Sequence, residues 1–107
     1  MTGTMLSRGN LIKQFVLQPT LTPTTCTASV STEQSFTIIG LMLGDVVEVM
    51  SNVAPTAGVT IGNSRVSATN TLLVQFSVNG TTGLLPASGV YNVIVSRPEG
   101  TPPTVDV

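Results

Sequence analysis

The sequence predicts an all-β fold, an Ig-like or jelly-roll-like β-sandwich of about seven short strands with an extended N-terminal arm. Three observations carry this prediction. Thr and Ser fill 27 of 107 positions and Val another 15, and the β-branched Val and Thr favour a pleated strand. Ten Gly and seven Pro punctuate the chain at short intervals, which supplies turns. No stretch of useful length places apolar residues at helical spacing.

Residues 1–10 are small and polar, with Gly3 and Gly9, and read as a chain end. In residues 11–18 the parity set Leu11, Lys13, Phe15 and Leu17 faces opposite to Ile12, Gln14, Val16 and Gln18. Both sets carry apolar groups, so two readings fit: a raggedly patterned edge strand, or an arm covered on both faces by a partner. The chain therefore divides into an arm or edge strand at 1–18, a sandwich domain at 19–97 and an extended Pro-rich tail at 98–107. Pro19 and Pro23 frame a Thr-rich connector that is unpaired or at an edge, because proline donates nothing to a ladder.

Cys26, Ala28 and Val30 alternate with Thr27 and Ser29 as a short half-buried strand. Residues 31–34 read as a polar turn, after which Phe36 and Ile38 alternate with Thr37 and Ile39 up to Gly40. Gly44-Asp45 turns the chain into a strand over 46–53, with Val47, Val49 and Val53 on one side. Val59, Ile61 and Val66 continue the β pattern, and Gly62-Asn63 between them predicts a bulge or bend. Thr69-Asn70 is the best hairpin signal, since Asn tolerates the left-handed conformation of tight loops. Leu72, Val74, Phe76 and Val78 then face inward in the cleanest alternation of the chain. A loop containing Gly83, Pro86 and Gly89 leads to the final strand, over 90–96, with Tyr91, Val93 and Val95 on one side. The predicted core is Phe36, Ile38, Val47, Val49, Ile61, Val66, Leu72, Val74, Phe76, Tyr91, Val93 and Val95.

Chemistry is sparse. Only 8% of residues are charged, net charge is −1, and there is no His or Trp; about 25% charged is ordinary. Four basic residues fall short of a nucleic-acid footprint or a polybasic membrane signal. No apolar run approaches the roughly 18 residues of a membrane helix, and residues 1–10 lack the apolar stretch of a secretory leader. Without His, the usual general base and the commonest transition-metal ligand are missing. Asp45 and Glu48 would fall on opposite faces of a strand, not on one scissile bond; Asp45 reads as a turn residue. Cys26 has neither His nor cation beside it in sequence and reads as a buried structural thiol. No catalytic, cofactor-binding or metal-binding residue is assigned, and an enzyme is not expected. Arg65 faces outward if Val66 faces the core, as a solvated arginine or an interface residue. It joins Arg8, Leu11, Lys13, Phe15 and Leu17 as the candidate protein-interface set.

The run Ala57-Gly-Val-Thr-Ile-Gly-Asn-Ser-Arg-Val-Ser-Ala-Thr-Asn-Thr-Leu-Leu-Val-Gln-Phe76 is followed by Pro86-Ala-Ser-Gly-Val-Tyr-Asn-Val-Ile-Val95. With Thr32-Glu-Gln-Ser-Phe-Thr-Ile-Ile-Gly-Leu41 and Gly44-Asp-Val-Val47 before it, this pattern resembles the small β-sandwich decoration, or cement, proteins of tailed-bacteriophage capsids. The resemblance spans roughly residues 26–96 and leaves 11–18 outside it. It implies a homo-oligomer, with a homotrimer favoured, on the outer capsid surface of the virion. There it would bridge neighbouring subunits of the major capsid protein, with no cofactor, nucleic acid or membrane involved. The alternative is an Ig-like binding module of a phage fibre, phage tail or bacterial surface, recognising a glycan or receptor. That role calls for aromatic platforms, whereas most of the three Phe and one Tyr read as core. Low charge favours an assembled role, since a free protein of small net charge is poorly protected against association.

Overall fold

A computed structural model describes residues 10–28, 31–102 and 104. These residues form seven strands: β1 (Leu11–Leu17), β2 (Thr20–Leu21), β3 (Ser31–Thr37), β4 (Val46–Ser51), β5 (Val59–Ala68), β6 (Thr71–Val78) and β7 (Gly89–Pro98). They make two antiparallel sheets packed against each other as a β-sandwich. In the first sheet β7 is central, with β4 on one side and β1 then β2 on the other. In the second, β6 lies between β3 and β5.

The central strands are those with the cleanest patterns. In β6, Leu72, Val74, Phe76 and Val78 are all buried and alternate with half-buried neighbours. In β7, Tyr91, Val93 and Val95 do the same. Val49 and Val66 complete the inter-sheet core as expected, while Phe36, Val47 and Ile61 pack on it half-buried. The Tyr91 hydroxyl donates to Ala87 O at 2.6 Å, a tyrosine corner of the kind that pins sandwich ends.

The hairpin falls where expected, with Ala68 opposite Thr71 and Asn70 at φ 60°. Asn70 also ties down the β3–β4 connection: its N–H donates to Leu41 O, its carbonyl accepts from Ile38 N–H, and its Oδ1 accepts from Gly40 N–H. Those three bonds explain why Leu41, absent from the expected core, is fully buried. The expected irregularity at Gly62-Asn63 is a register shift between Ile61 and Ser64, where Gln75 Oε1 accepts from Asn63 N–H.

Three expectations need correction. Residues 31–34 are not a turn but the first half of β3, in unbroken register with β6 from Ser31↔Ser77 to Thr37↔Thr71. Conversely, the described part of the strand expected at residues 26–30 is not a strand. Cys26 makes only an isolated bridge to Leu84, residue 28 lies in a turn, and residues 29 and 30 lie outside the described set. A side chain takes the place of a neighbouring strand at this point. The Gln34 amide accepts from Thr24 N–H (2.8 Å) and donates to Thr24 O (2.9 Å), pairing beside β3 as a backbone strand would. Finally, β4 ends at Ser51, so Val53 stands beyond it, 36% exposed and against Gly89 rather than in the core.

Residues 11–17 take the edge-strand alternative. Lys13↔Arg97 through Leu17↔Val93 pair in constant register, and the same register resumes at Thr20↔Val90. Between them Pro19 accepts from Tyr91 N–H through its carbonyl but has no N–H to return, which splits one long edge strand into β1 and β2.

Candidate interaction surface

The inward face of β1 belongs to the sandwich itself. Phe15 and Leu17 pack half-buried on the core. Lys13 Nζ and Arg97 Cζ lie 5.3 and 5.4 Å from the centroid of the Phe15 ring, within cation–π range. Four members of the interface set therefore separate by role: Phe15 and Leu17 support the fold, while Leu11, 46% exposed, and Lys13 line the rim. Arg8 lies outside the described residues.

Arg65 is exposed as expected but occupied. Its Nε and Nη2 donate to the two Glu33 carboxylate oxygens at 2.8 and 2.9 Å. The pair spans β6 from β5 to β3 on the outer face of the second sheet and holds the Glu33 carboxyl below its usual range through hydrogen bonding. A second pair was not legible in the composition. Arg97 sits at an inward position of β7, continuing the parity of Tyr91, Val93 and Val95. Its Nε and Nη2 donate to the Asp45 oxygens at 2.8 Å each, and Nη2 also reaches Gly40 O. Asp45 is buried and accepts from Met42 N–H at 2.9 Å, so it is a turn residue and an ion-pair partner at once. The Arg97 hydrogen bonds, helped by Met42 N–H and the charges of Arg97 and Lys13, hold its carboxyl below the usual range against the opposing effect of burial. The sequence signal for this pair was an arginine on the core parity of β7.

The outer face of the first sheet is where this protein is unusual. The strand register sets Val16 beside Ile94, and Ile94 beside Glu48, with Val46 and Met50 flanking Glu48 on the same face of β4. Val16 is 57%, Val46 60% and Met50 44% exposed. The remaining positions are amides and hydroxyls bonded to one another: Gln14 to Ser96, Gln18 to Asn92 and Asn92 to Asn52. Beyond the sheet end, Ile12, Met42 and Leu43 are also exposed and line a groove of about 490 Å3 with Arg97, Pro98 and Pro102. Both Arg97 and Asp45 in this groove are committed to each other, so the groove offers apolar contact and little polar chemistry. No group of three potential metal ligands occurs among the described residues.

Comparison with known protein families, curated proteins and solved structures returns no match.

Proposed function

We propose that this protein is a structural component of a virion that seats the outer face of its β1–β7–β4 sheet on a bacteriophage capsid and stabilises the shell by bridging neighbouring coat-protein subunits. The observation that supports this reading most is the set of exposed apolar side chains on that face: Val16, Val46 and Met50, with Glu48 as its only charge among the described residues. Such a face has little to gain from free solvent and suits a dry contact with a large, repeating surface. The resemblance over residues 26–96 points to the same role. Glycan recognition has less support, because Phe76 and Tyr91 are buried and Phe15 and Phe36 pack half-buried on the core, leaving no aromatic platform among the four.

Co-sedimentation with undecorated tailed-phage capsids at micromolar protein tests the proposal. The wild-type chain is expected to pellet with capsids and to raise their thermal stability. The V16D/V46D pair, folded by circular dichroism, is expected to stay in the supernatant. A wild-type chain that never pellets sinks the proposal.

A further inference from the structure

The edge of β1 away from β7 has a property that goes beyond capsid binding. Tyr91 N–H donates to Pro19 O, so residue 19 faces residue 91 as a hydrogen-bonded pair, and such pairs alternate along an antiparallel ladder. In the constant register, Lys13, Phe15 and Leu17 therefore spend their backbone groups on β7. Gln14 and Val16 turn theirs to the open edge. Among the described residues β1 pairs with β7 alone, so this is an unsatisfied template of the kind that recruits another strand.

The order of side chains along that edge identifies the strand that fits. Leu11-Ile-Lys-Gln-Phe-Val-Leu17 pairs like with like about Gln14 at its two outer positions and sets a cation against an aromatic ring, Lys13 and Phe15, at the inner one. We propose that two copies of this chain pair β1 with β1, antiparallel, across a two-fold axis at Gln14. In that register Lys13 faces the partner's Phe15, and the bulge between Leu11 and Lys13 ends the regular ladder there, leaving Ile12 and Leu11 near the partner's Val16 and the partner's Leu17. Gln14 faces the partner's Gln14 with reciprocal N–H to C=O bonds. Apolar residues meet apolar residues on the outer face, where Ile12 and Val16 are 63% and 57% exposed. Lys13 meets an aromatic ring, the same partnership it makes within its own chain. Moving the axis to Lys13 would oppose two ammonium groups, which cross-strand pairing disfavours. The contact is isologous and closes at two copies, and it runs the first sheet continuously through both.

A seven-residue edge is small beside the ~1,200–2,000 Å2 of stable complexes, so association is expected between about 10 µM and 1 mM. Sedimentation equilibrium over that range tests it, and the expected species has twice the 11.0 kDa mass of the chain. Gln14→Pro is the sharpest variant. The Gln14 N–H points away from β7, so proline there removes no ladder bond within the chain, only the exposed side-chain bond to Ser96, yet it deletes both central bonds of the dimer. A roughly thirty-fold weaker dissociation constant is expected from two lost inter-strand bonds. Should Gln14→Pro fail to fold, mild oxidation of Gln14→Cys decides alone. The two-fold axis brings its Cα atoms to about 5.5 Å, within disulfide reach, while Gln18→Cys lies about 27 Å from its counterpart and stays uncrosslinked. Buried Cys26 does not compete. A monomer throughout the range, a trimer, a dimer indifferent to Gln14→Pro, or equal cross-linking at both cysteines would each overturn the proposal. None of these outcomes depends on whether the protein binds capsids.

Discussion

Asp45 and Glu33 each accept a two-pronged arginine, yet they are expected to matter differently. The Asp45 side chain is 1% exposed and Arg97 14%, against 35% and 53% for Glu33 and Arg65. Removing one partner of a buried pair strands the other charge, whereas solvent screens an exposed pair. Asp45→Asn is therefore expected to lower Tm by at least ~5 °C, and Glu33→Gln by only a degree or two. The sign with pH follows from the depressed carboxyl of Asp45. A native state that holds this group ionised gains stability above the ordinary carboxylate range, near about pH 4, and loses it as pH falls through the lowered value. Thermal melts from pH 7 down to pH 3 should thus fall more steeply for the wild-type chain than for Asp45→Asn; parallel curves would refute the assignment. At this scale the sequence was read correctly where one residue decides the outcome, as at Asn70. It was incomplete where two residues 52 positions apart act together: Asp45 is the turn residue expected, but a net charge of −1 hides its pairing with Arg97.

Elements were legible in proportion to their burial. The core strands β6 and β7 alternate because one face meets the opposite sheet, and alternation is what a single sequence can display. The first half of β3, Ser31-Thr-Glu-Gln, escaped notice because it is stabilised by ladder bonds to β6 and by the Gln34 amide, neither of which leaves an apolar trace. The ragged pattern of β1 has a structural meaning: Phe15 and Leu17 serve the core while Ile12 and Val16 stay outside. A chain beginning at Pro19 would on sequence grounds keep its fold, but the structure argues otherwise. It would lose the ladder from Lys13 to Leu17 and uncover the core beneath Phe15 and Leu17. Half-burying two large apolar side chains contributes about 1 kcal/mol each, roughly half the full-burial value, and with the lost ladder this is a sizeable share of the ~5–15 kcal/mol that holds a domain together. The truncated chain is expected to unfold at low denaturant. A urea midpoint unchanged from wild type would return β1 to the status of a dispensable arm.

At the scale of the whole molecule, extents of 52 × 25 × 22 Å and 8% charge describe an elongated, nearly neutral body. The associations proposed for it draw mainly on apolar contact and backbone bonding, with few charges to steer them. Raising salt from about 0.05 to 1 M shrinks the Debye length to about 3 Å and abolishes steering between exposed charges. Self-association and capsid binding are both expected to survive that change within about two-fold; a ten-fold loss would mean that ion pairs carry them. The fold class was legible from composition alone, since β-branched residues and turn formers leave few other architectures. The interaction surface was not, because the sequence does not reveal which parity of a two-faced strand faces the core.

The placement of β7 also governs when the molecule can fold. The second sheet draws on residues 31–78, so its strands can meet as soon as that stretch exists. The first sheet waits for β7, which closes it against β1, β2 and β4 together. Leu17 meets Val93, 76 positions further along, and at about 5–20 residues per second that partner is synthesised roughly 4–15 s later. For that interval β1 is an apolar segment with both edges open, at its greatest risk of pairing with the wrong chain.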